Sequence, residues 1–275
     1  MKSPVYTQFS AHIFSSLEDA PFSAADYSML KFGCGNTARS FGEQLAESLF
    51  VNHGATLIAN QCVVFSSPYN HVRNAASLMT EHMVNRLNAM LVINGGRPVE
   101  TTIVHRKVSY INDYGFLNRD QRKTLISNDS FYLNKEFLEG KLLLCVDDIR
   151  ITGTHEERLI DVFTQSRMQN DAYFLYFAMM HGTANPDIES KLNLAHIKTA
   201  EDFAELMKVD GTHMCVRPMK FALSQPPEAF AHLLAHLPHH HIEGLYHGAL
   251  AEGYYKLPAY QTNFNALRAH ISATN

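Results

Sequence analysis

Residues 142–157 read LLLCVDDIRITGTHEE, and this stretch decides the fold class. Its unbroken apolar run, Leu142–Val146, is typical of a strand that is buried on both faces of a parallel sheet. Two carboxylates follow the run, then a Thr-Gly-Thr turn at 152–154, then a helix that we expect to begin near His155. A buried strand that turns tightly into a helix is the repeating unit of an α/β protein.

The flanking sequence continues this alternation of helix and strand. Apolar residues at helical spacing or in short β-rich runs predict, in chain order, a helix over 37–50, two apolar runs within 55–65 (TLIA at 56–59 and CVVF at 62–65), a helix over 75–91, a short strand at 101–104 and a last core strand at 172–180. The pattern therefore predicts a twisted, mainly parallel sheet flanked by helices, with Leu142–Val146 at its centre.

Two segments do not fit the alternation. Residues 105–134 are polar and weakly periodic, and a connection of that length inside a compact domain is usually a functional lid. After His181 the chain is richer in helix, histidine and proline, so we expect a core over 1–181 and a mostly helical C-terminal cap over 182–275. The alternative is that this apolar segment only completes the core or forms the interface of a homodimer.

Composition limits the kinds of partner. The 275 residues include 23 basic and 27 acidic side chains, so a basic footprint for nucleic acid is missing and binding to nucleic acid is not expected. The hydrophobic fraction of 46% excludes disorder as the main state. Apolar runs stay below the roughly 20 residues that span a bilayer. We expect a soluble cytoplasmic protein with no membrane partner.

The carboxyl end of the central strand carries the candidate chemistry, because ligands of open α/β sheets bind there. Asp147 and Asp148 leave the strand at this point, and Gly153 lets the backbone turn tightly. The hydroxyls of Thr152 and Thr154 precede a helix whose free N–H groups can hold a phosphate. The pattern predicts a ligand with a phosphate at one end and hydroxyls or a metal ion near the acids. The alternative is a plain junction with solvated acids.

These same five residues match, in order and spacing, the signature of the type I phosphoribosyltransferases, and the sequence resembles that family. Further similarity to its ComF-like branch lies in Lys31-Phe32-Gly33, in the loop Ser66–Tyr69 and in Arg73–Ala76. The resemblance covers roughly residues 27–180. Two positions depart from the pattern: Arg150 replaces a residue that is small or apolar in many members, and His155 replaces a small one.

The resemblance implies transfer of ribose 5-phosphate from phosphoribosyl pyrophosphate to a nitrogen nucleophile, with Mg²⁺ as cofactor. The implied ligands of the 5′-phosphate are Ile151, Thr152, Gly153, Thr154 and His155. The implied ligands of the pyrophosphate are Ser66, Ser67, Pro68, Tyr69 and Lys31. Asp147 and Asp148 would hold the ribose hydroxyls or Mg²⁺, and we expect both to be exposed and unpaired. A hood over 105–134 would bring Arg106 and Lys107 to the catalytic site.

Three questions stay open at this point. The acceptor, a base or a related metabolite, is not specified by any motif. A non-catalytic protein that senses phosphoribosyl pyrophosphate or a nucleotide would have the same fold; some members of the branch occur in bacterial stress or tellurite-resistance gene clusters. The histidines between His232 and His247 could hold a metal ion or lie in solvent or at an interface. We expect the second role, since no carboxylate or cysteine lies beside them at zinc-motif spacing.

Overall fold

The computed structural model describes residues 3–106, 131–182 and 187–274. Its strands are β1 (Tyr6–Phe14), β2 (Cys62–Ser66), β3 (Glu100–Thr101), β4 (His105–Arg106), β5 (Phe131–Tyr132), β6 (Leu142–Arg150) and β7 (Ala172–Met180). Its helices are α1 (Ala24–Lys31), α2 (Gly35–Ala59), α3 (Ala75–Ile93), α4 (Lys135–Leu138), α5 (Thr154–Gln165), α6 (Asp187–Asn193), α7 (Ala200–Met207), α8 (Val216–Leu223), α9 (Pro227–His236), α10 (His239–Ala251) and α11 (Pro258–Thr274). Most of the predicted hood, Lys107 included, lies outside the described residues.

The main sheet has five strands in the order β1-β7-β6-β2-β3, and every pair of neighbours is parallel. β6 lies in the middle, and Leu142–Val146 is buried throughout, as the unbroken apolar run predicts. The expected α/β fold with a mainly parallel sheet is confirmed. β4 and β5 form a separate antiparallel pair.

Four details differ from the sequence-based expectation. The run at 56–59 is not a separate element but the last turn of α2, which extends nine residues beyond the predicted end at 50. β1 was not predicted, because Tyr6–Phe14 mixes polar and apolar residues and forms a half-buried edge strand. β3 covers only Glu100–Thr101, which is shorter than the predicted strand at 101–104. β6 continues beyond Val146 to Arg150, so the two acids lie within the strand and not after it.

Helices cover both faces of the sheet. α2 and α3 bury residues such as Leu45 and Met83 against one face, and α5 buries Leu159 and Phe163 against the other. No helix among the described residues is long and apolar enough to cross a membrane.

The C-terminal helices share a hydrophobic cluster with Phe32 and Cys34 at the entry to α2. The backbone of the C-terminal segment approaches the Gly33 turn closely there: the His213 N–H donates to the Gly33 carbonyl oxygen at 2.9 Å. Gly33 has a φ of +90°, and a Cβ at this position would lie 2.1 Å from the His213 carbonyl oxygen. The glycine of the Lys-Phe-Gly motif is therefore required by the close approach of the C-terminal segment.

Candidate functional site

A cavity of about 190 Å³ lies at the carboxyl ends of β2 and β6, the edge at which open parallel sheets bind ligands. Most of the residues singled out in the sequence line it together, although they come from separate parts of the chain: Lys31, Ser67, Pro68, Arg106, Asp147, Asp148, Ile151, Thr152, Gly153, Thr154 and His155. Ser66 and Tyr69 line a different cavity, of about 810 Å³, beside β3 and β4. Lys107 lies outside the described residues.

The turn after β6 is built around Gly153. This residue has a φ of +75° and is the N-cap of α5, with no side-chain hydrogen bond from the cap. The hydroxyls of Thr152 and Thr154 lie 3.0 Å apart beside it. A glycine cap leaves the N–H groups of the first turn to be satisfied from outside the helix, and such a position suits an anion.

Asp147 faces the start of α5. One of its carboxylate oxygens lies 3.3 Å from Nδ1 of His155, and the other accepts the N–H of Asp148 at 2.9 Å. Burial alone would raise the pKa of Asp147, but the hydrogen bond and charge of His155, together with Ser67 and Lys31, lower the pKa below its ordinary value. Asp147 is therefore a carboxylate with several fixed neighbours on the cavity wall.

Asp148 does not match the expectation of an exposed, unpaired acid. It is only 4% exposed, and one oxygen lies 2.5 Å from Nζ of Lys31. The reason is that β6 continues through the two acids, and successive side chains of a strand point to opposite faces. Burial raises the pKa of Asp148, Lys31 opposes this, and Asp147 adds to it.

Lys31 ends α1 directly before the Phe32-Gly33 turn. Burial is the largest influence and lowers its pKa, but the charge and hydrogen bond of Asp148, together with the charge of Glu189, outweigh it, and the pKa lies above the ordinary value. Lys31 is thus a charged ammonium group on the cavity wall, held by an acid of the central strand. This contact accounts for the lysine of the Lys-Phe-Gly motif.

The loop between β2 and α3 forms the other side of the cavity. The Ser67 N–H donates to the Val146 carbonyl oxygen at 2.8 Å, which joins the loop to β6. Further along, the N–H groups of His71 and Val72 donate to one carboxylate oxygen of Glu252, at 2.8 and 2.7 Å. A buried acid from the C-terminal segment therefore fixes the middle of this loop.

Sequence reasoning missed the contributions of the C-terminal segment. Glu189 of α6 and Arg217 of α8 line the cavity, and Glu252 holds its second loop. No local motif marks these residues. The only signal in the sequence was that the apolar residues of segment 182–275 require burial against another part of the protein. Tyr176 and Glu156 also line the cavity, and they were hidden within stretches that the pattern explains as core strand and helix.

The histidine-rich segment shows no metal centre in the described part of the chain, where no group of three or more His, Cys, Asp or Glu side chains is arranged to hold an ion. The rings of His232 and His236 stack with centroids 3.9 Å apart. His241 is buried, and burial, with the neighbouring charge of His240, lowers its pKa to about 4.

The Mg²⁺ ion implied by the resemblance needs oxygen ligands. Proteins usually hold this ion by one or two carboxylates together with water and the phosphates of a substrate. Asp147 fits that arrangement, because its carboxylate lines the cavity. Asp148 fits less well, because its carboxylate already binds Lys31 and the N–H of Ile149. The donors suit an ion that arrives with a phosphorylated ligand.

Fold and site together define an open-sheet α/β protein whose cavity joins a glycine turn at a helix N-terminus to two acidic residues. The model of the PRTase ComF-like family matches residues 5–267, and the chain belongs to that family. The match extends well beyond residues 27–180 in both directions and includes β1 and most of the C-terminal helices.

The other comparisons add little. A search of curated proteins found no match. Among solved structures, a hypoxanthine phosphoribosyltransferase from Staphylococcus aureus is similar at 9% identity, over 51% of this chain and 73% of that one, with a TM-score of 0.34. A TM-score that low supports no argument about this chain.

Proposed function

We propose that the chain is a phosphoribosyltransferase that uses the Mg²⁺ complex of phosphoribosyl pyrophosphate. The observation that carries the proposal is the single cavity, in a member of the PRTase ComF-like family, that collects the turn 151–155, both acids and Ser67-Pro68. In the reaction, the bond between ribose C1 and pyrophosphate breaks, and pyrophosphate leaves with the electron pair. A nitrogen nucleophile then forms the new bond to C1.

The chain's part in this reaction is to hold both ends of the substrate. The turn at 151–155 would bind the 5′-phosphate through N–H groups and the hydroxyls of Thr152 and Thr154. Asp147 and Asp148 would stabilise the ribose, whose C1 gains positive charge as the leaving group departs, as in other glycosyl transfers. Ser67 and Pro68, which line the same cavity, would face the pyrophosphate. Bound Mg²⁺ would supply positive charge to the pyrophosphate.

Positive charge around the cavity supports this assignment. Lys31, Arg106 and Arg217 all line it, and fixed cations that face a departing anion lower the barrier of such a step. Arg106 is tied to the second loop, since its N–H donates to the Tyr69 carbonyl oxygen at 3.3 Å. A catalytic role for Lys107, and closure of a hood over 105–134, remain predictions.

The acceptor is a nitrogen nucleophile, either a base or a related metabolite. The lining residues Glu189 and Arg217 support the prediction that the segment 182–275 acts as a cap that helps to select this acceptor. They offer one acidic and one basic group, which suits an acceptor with polar edges. The division into a core over 1–181 and a cap, and the link to bacterial stress gene clusters, stay predictions.

One observation favours the second candidate, a non-catalytic sensor of phosphoribosyl pyrophosphate or nucleotide. The ion pair between Lys31 and Asp148 occupies one of the two acids. An acid that is neutralised within the protein contributes less to a cationic transition state, although the site can still bind the substrate. The two candidates therefore differ in turnover and not in binding.

The test incubates the protein with phosphoribosyl pyrophosphate, Mg²⁺ and a metabolite extract, and follows pyrophosphate release with mass spectrometry of the products. Asp147→Asn should reduce both release and product, whereas Asp161→Asn, an exposed position on α5, should leave both unchanged. Binding without turnover in any extract would favour the sensor. Failure to bind phosphoribosyl pyrophosphate at all would contradict both candidates.

A further inference from the structure

Arg150 is the last residue of β6, and its side chain folds back against the turn at 151–153. A Cβ placed on Gly153 would be 2.6 Å from one terminal nitrogen of Arg150 and 3.0 Å from the guanidinium carbon. The guanidinium group therefore lies directly against the glycine of the turn. Its side chain is 25% exposed and lines the same cavity as Thr152 and Thr154.

A buried acid holds Arg150 in this position. Nε of Arg150 donates to Oε2 of Glu156 at 2.9 Å, and Glu156 is only 8% exposed. The same carboxylate accepts the hydroxyl of Tyr176 at 2.7 Å and the amide of Gln8 at 2.5 Å. Three donors from three different elements fix the carboxylate, so the guanidinium that binds it has little freedom to move.

The Glu156 contact uses Nε of Arg150. The two terminal nitrogens make no hydrogen bond within the described residues, and one of them lies against Gly153. A guanidinium presents its donors in a planar fork that matches two oxygens of a phosphate. The fork lies beside the N-terminus of α5, where the helix N–H groups also favour an anion.

We propose that Arg150 is a direct ligand of the phosphate bound in the turn 151–155, and that Glu156 is the positioning residue that aims it. The inference rests on the proposed function, and it adds a charged ligand to a loop that would otherwise hold phosphate through backbone and hydroxyl groups. A guanidinium there favours a terminal phosphate monoester in its doubly charged form over a neutral or singly charged group.

Calorimetric titration with ribose 5-phosphate and, separately, with Mg²⁺ pyrophosphate tests this assignment. Arg150→Met should weaken ribose 5-phosphate binding about 10- to 100-fold, the loss expected for a charge-assisted hydrogen bond or a pair of them. Pyrophosphate, which binds at the other loop, should keep its affinity within about twofold. Arg150→Lys keeps the charge without the fork and should recover part of the loss. Arg268→Met, at an exposed position on α11, is the matched control.

A double-mutant cycle separates the two roles. Glu156→Gln should weaken ribose 5-phosphate binding in the wild-type background, and it should have almost no further effect in the Arg150→Met background, because the acid acts through the arginine. Additive losses would overturn the positioning role of Glu156. Retained pyrophosphate affinity and an unchanged circular dichroism spectrum show that each variant is folded; if Arg150→Met fails this check, Arg150→Lys decides the question.

The outcomes are distinct. If the wild type binds ribose 5-phosphate and both Arg150 variants bind it equally well, the assignment of Arg150 is wrong, while the proposed function stands. If the wild type binds neither ribose 5-phosphate nor pyrophosphate, the proposed function fails first, and the inference fails with it.

Discussion

Two loops form the floor of the cavity, and they are held in place by different parts of the chain. Both leave neighbouring parallel strands and enter a helix. The loop from β6 to α5 makes local contacts, Arg150 to Glu156 and Thr152 to Thr154, although Gln8 and Tyr176 also hold Glu156. The loop from β2 to α3 is fixed by Glu252, about 180 positions away in the sequence.

The helices that follow the two loops also begin differently. α3 is capped by Asn74, whose side chain accepts the Ser77 N–H at 2.8 Å. α5 is capped by Gly153, which has no side chain to do so. The Asn74 side chain satisfies one N–H group of the first turn of α3, whereas Gly153 offers α5 no such acceptor and leaves that group to a ligand. On this comparison, the β6 loop is the proposed site of the 5′-phosphate, and the β2 loop is a proposed pyrophosphate site that the C-terminal segment completes.

The largest expected effect comes from Gly153→Val. A β-branched residue at a φ of +75° is strained, and its Cβ would meet Arg150 at 2.6 Å. We expect phosphoribosyl pyrophosphate binding to fall more than about 100-fold, in addition to a stability loss of about 1–2 kcal/mol from the left-handed backbone. Calorimetry and denaturant unfolding measure the two effects.

Gly140→Val provides the control, because Gly140 has a φ of +71° and open space where its Cβ would lie. It should lose similar stability and keep its ligand affinity. Equal affinity in the two variants would show that the turn at 151–155 is not the phosphate site.

Glu252→Ala tests whether the C-terminal segment holds the second loop. It would leave the N–H groups of His71 and Val72 without their acceptor, and the loss of these two half-buried hydrogen bonds should destabilise the fold by about 1–3 kcal/mol in total. Pyrophosphate binding should weaken, and ribose 5-phosphate binding should change much less. Urea unfolding, hydrogen exchange at residues 70–72 and calorimetry report these effects.

Glu228→Ala, at an exposed position on α9, should change neither stability nor binding. If Glu252→Ala unfolds no more easily than this control, the second loop is held by its own local bonds, and the contrast between the loops disappears.

The same contrast explains how much could be read from the sequence. The β6 strand, its turn and its helix are contiguous, so their pattern predicted both the central strand and the residues that line the cavity. The Lys31–Asp148 pair was missed because the apolar run ends at Val146 while the strand does not; only the observed register shows which face each acid takes. Glu252 and Arg217 depend on tertiary packing between distant segments, which leaves no local pattern.

The C-terminal helices and the β6 strand should also lose stability in different pH ranges. His241 lies in α10, the helix that ends just before Glu252. The pKa of His241 is lowered from 6.5 to about 4. The unfolded chain therefore takes up this proton first, and stability falls between about pH 6.5 and pH 4 by at most about 1.4 kcal/mol per pH unit. The pKa of Asp147 is lowered from 3.8, so its contribution is lost only below that value.

Urea unfolding at a series of pH values tests this order. His241→Gln should flatten the loss of stability above about pH 4, since the proton that the unfolded chain takes up is removed. His240→Gln removes only the smaller cause of the shift, the charge of an exposed neighbour, so it should reduce the slope much less than His241→Gln does. A wild-type slope that persists in His241→Gln would mean that another group senses pH in this range.

The smallest expected effect concerns Asn74, which makes two different bonds. Its side-chain oxygen caps α3 at Ser77, and its Nδ2 donates to the Ser67 carbonyl oxygen at 3.2 Å. Asn74→Ala removes both bonds and should lower the free energy of unfolding by about 1 kcal/mol, the usual loss for an N-cap. Asn74→Asp keeps the cap and its favourable position at the helix N-terminus, so most of that stability should return.

The two Asn74 variants should rank differently in ligand affinity and in stability. Asn74→Asp loses the donor to Ser67 and adds a negative charge beside the cavity, so pyrophosphate should bind more weakly than to Asn74→Ala, although the protein is more stable. Ribose 5-phosphate should be affected less, because its proposed site lies across the cavity on the uncapped helix. If both ligands weaken equally in Asn74→Asp, the two phosphates share one loop, and the assignment of ribose 5-phosphate and pyrophosphate to separate loops must be abandoned.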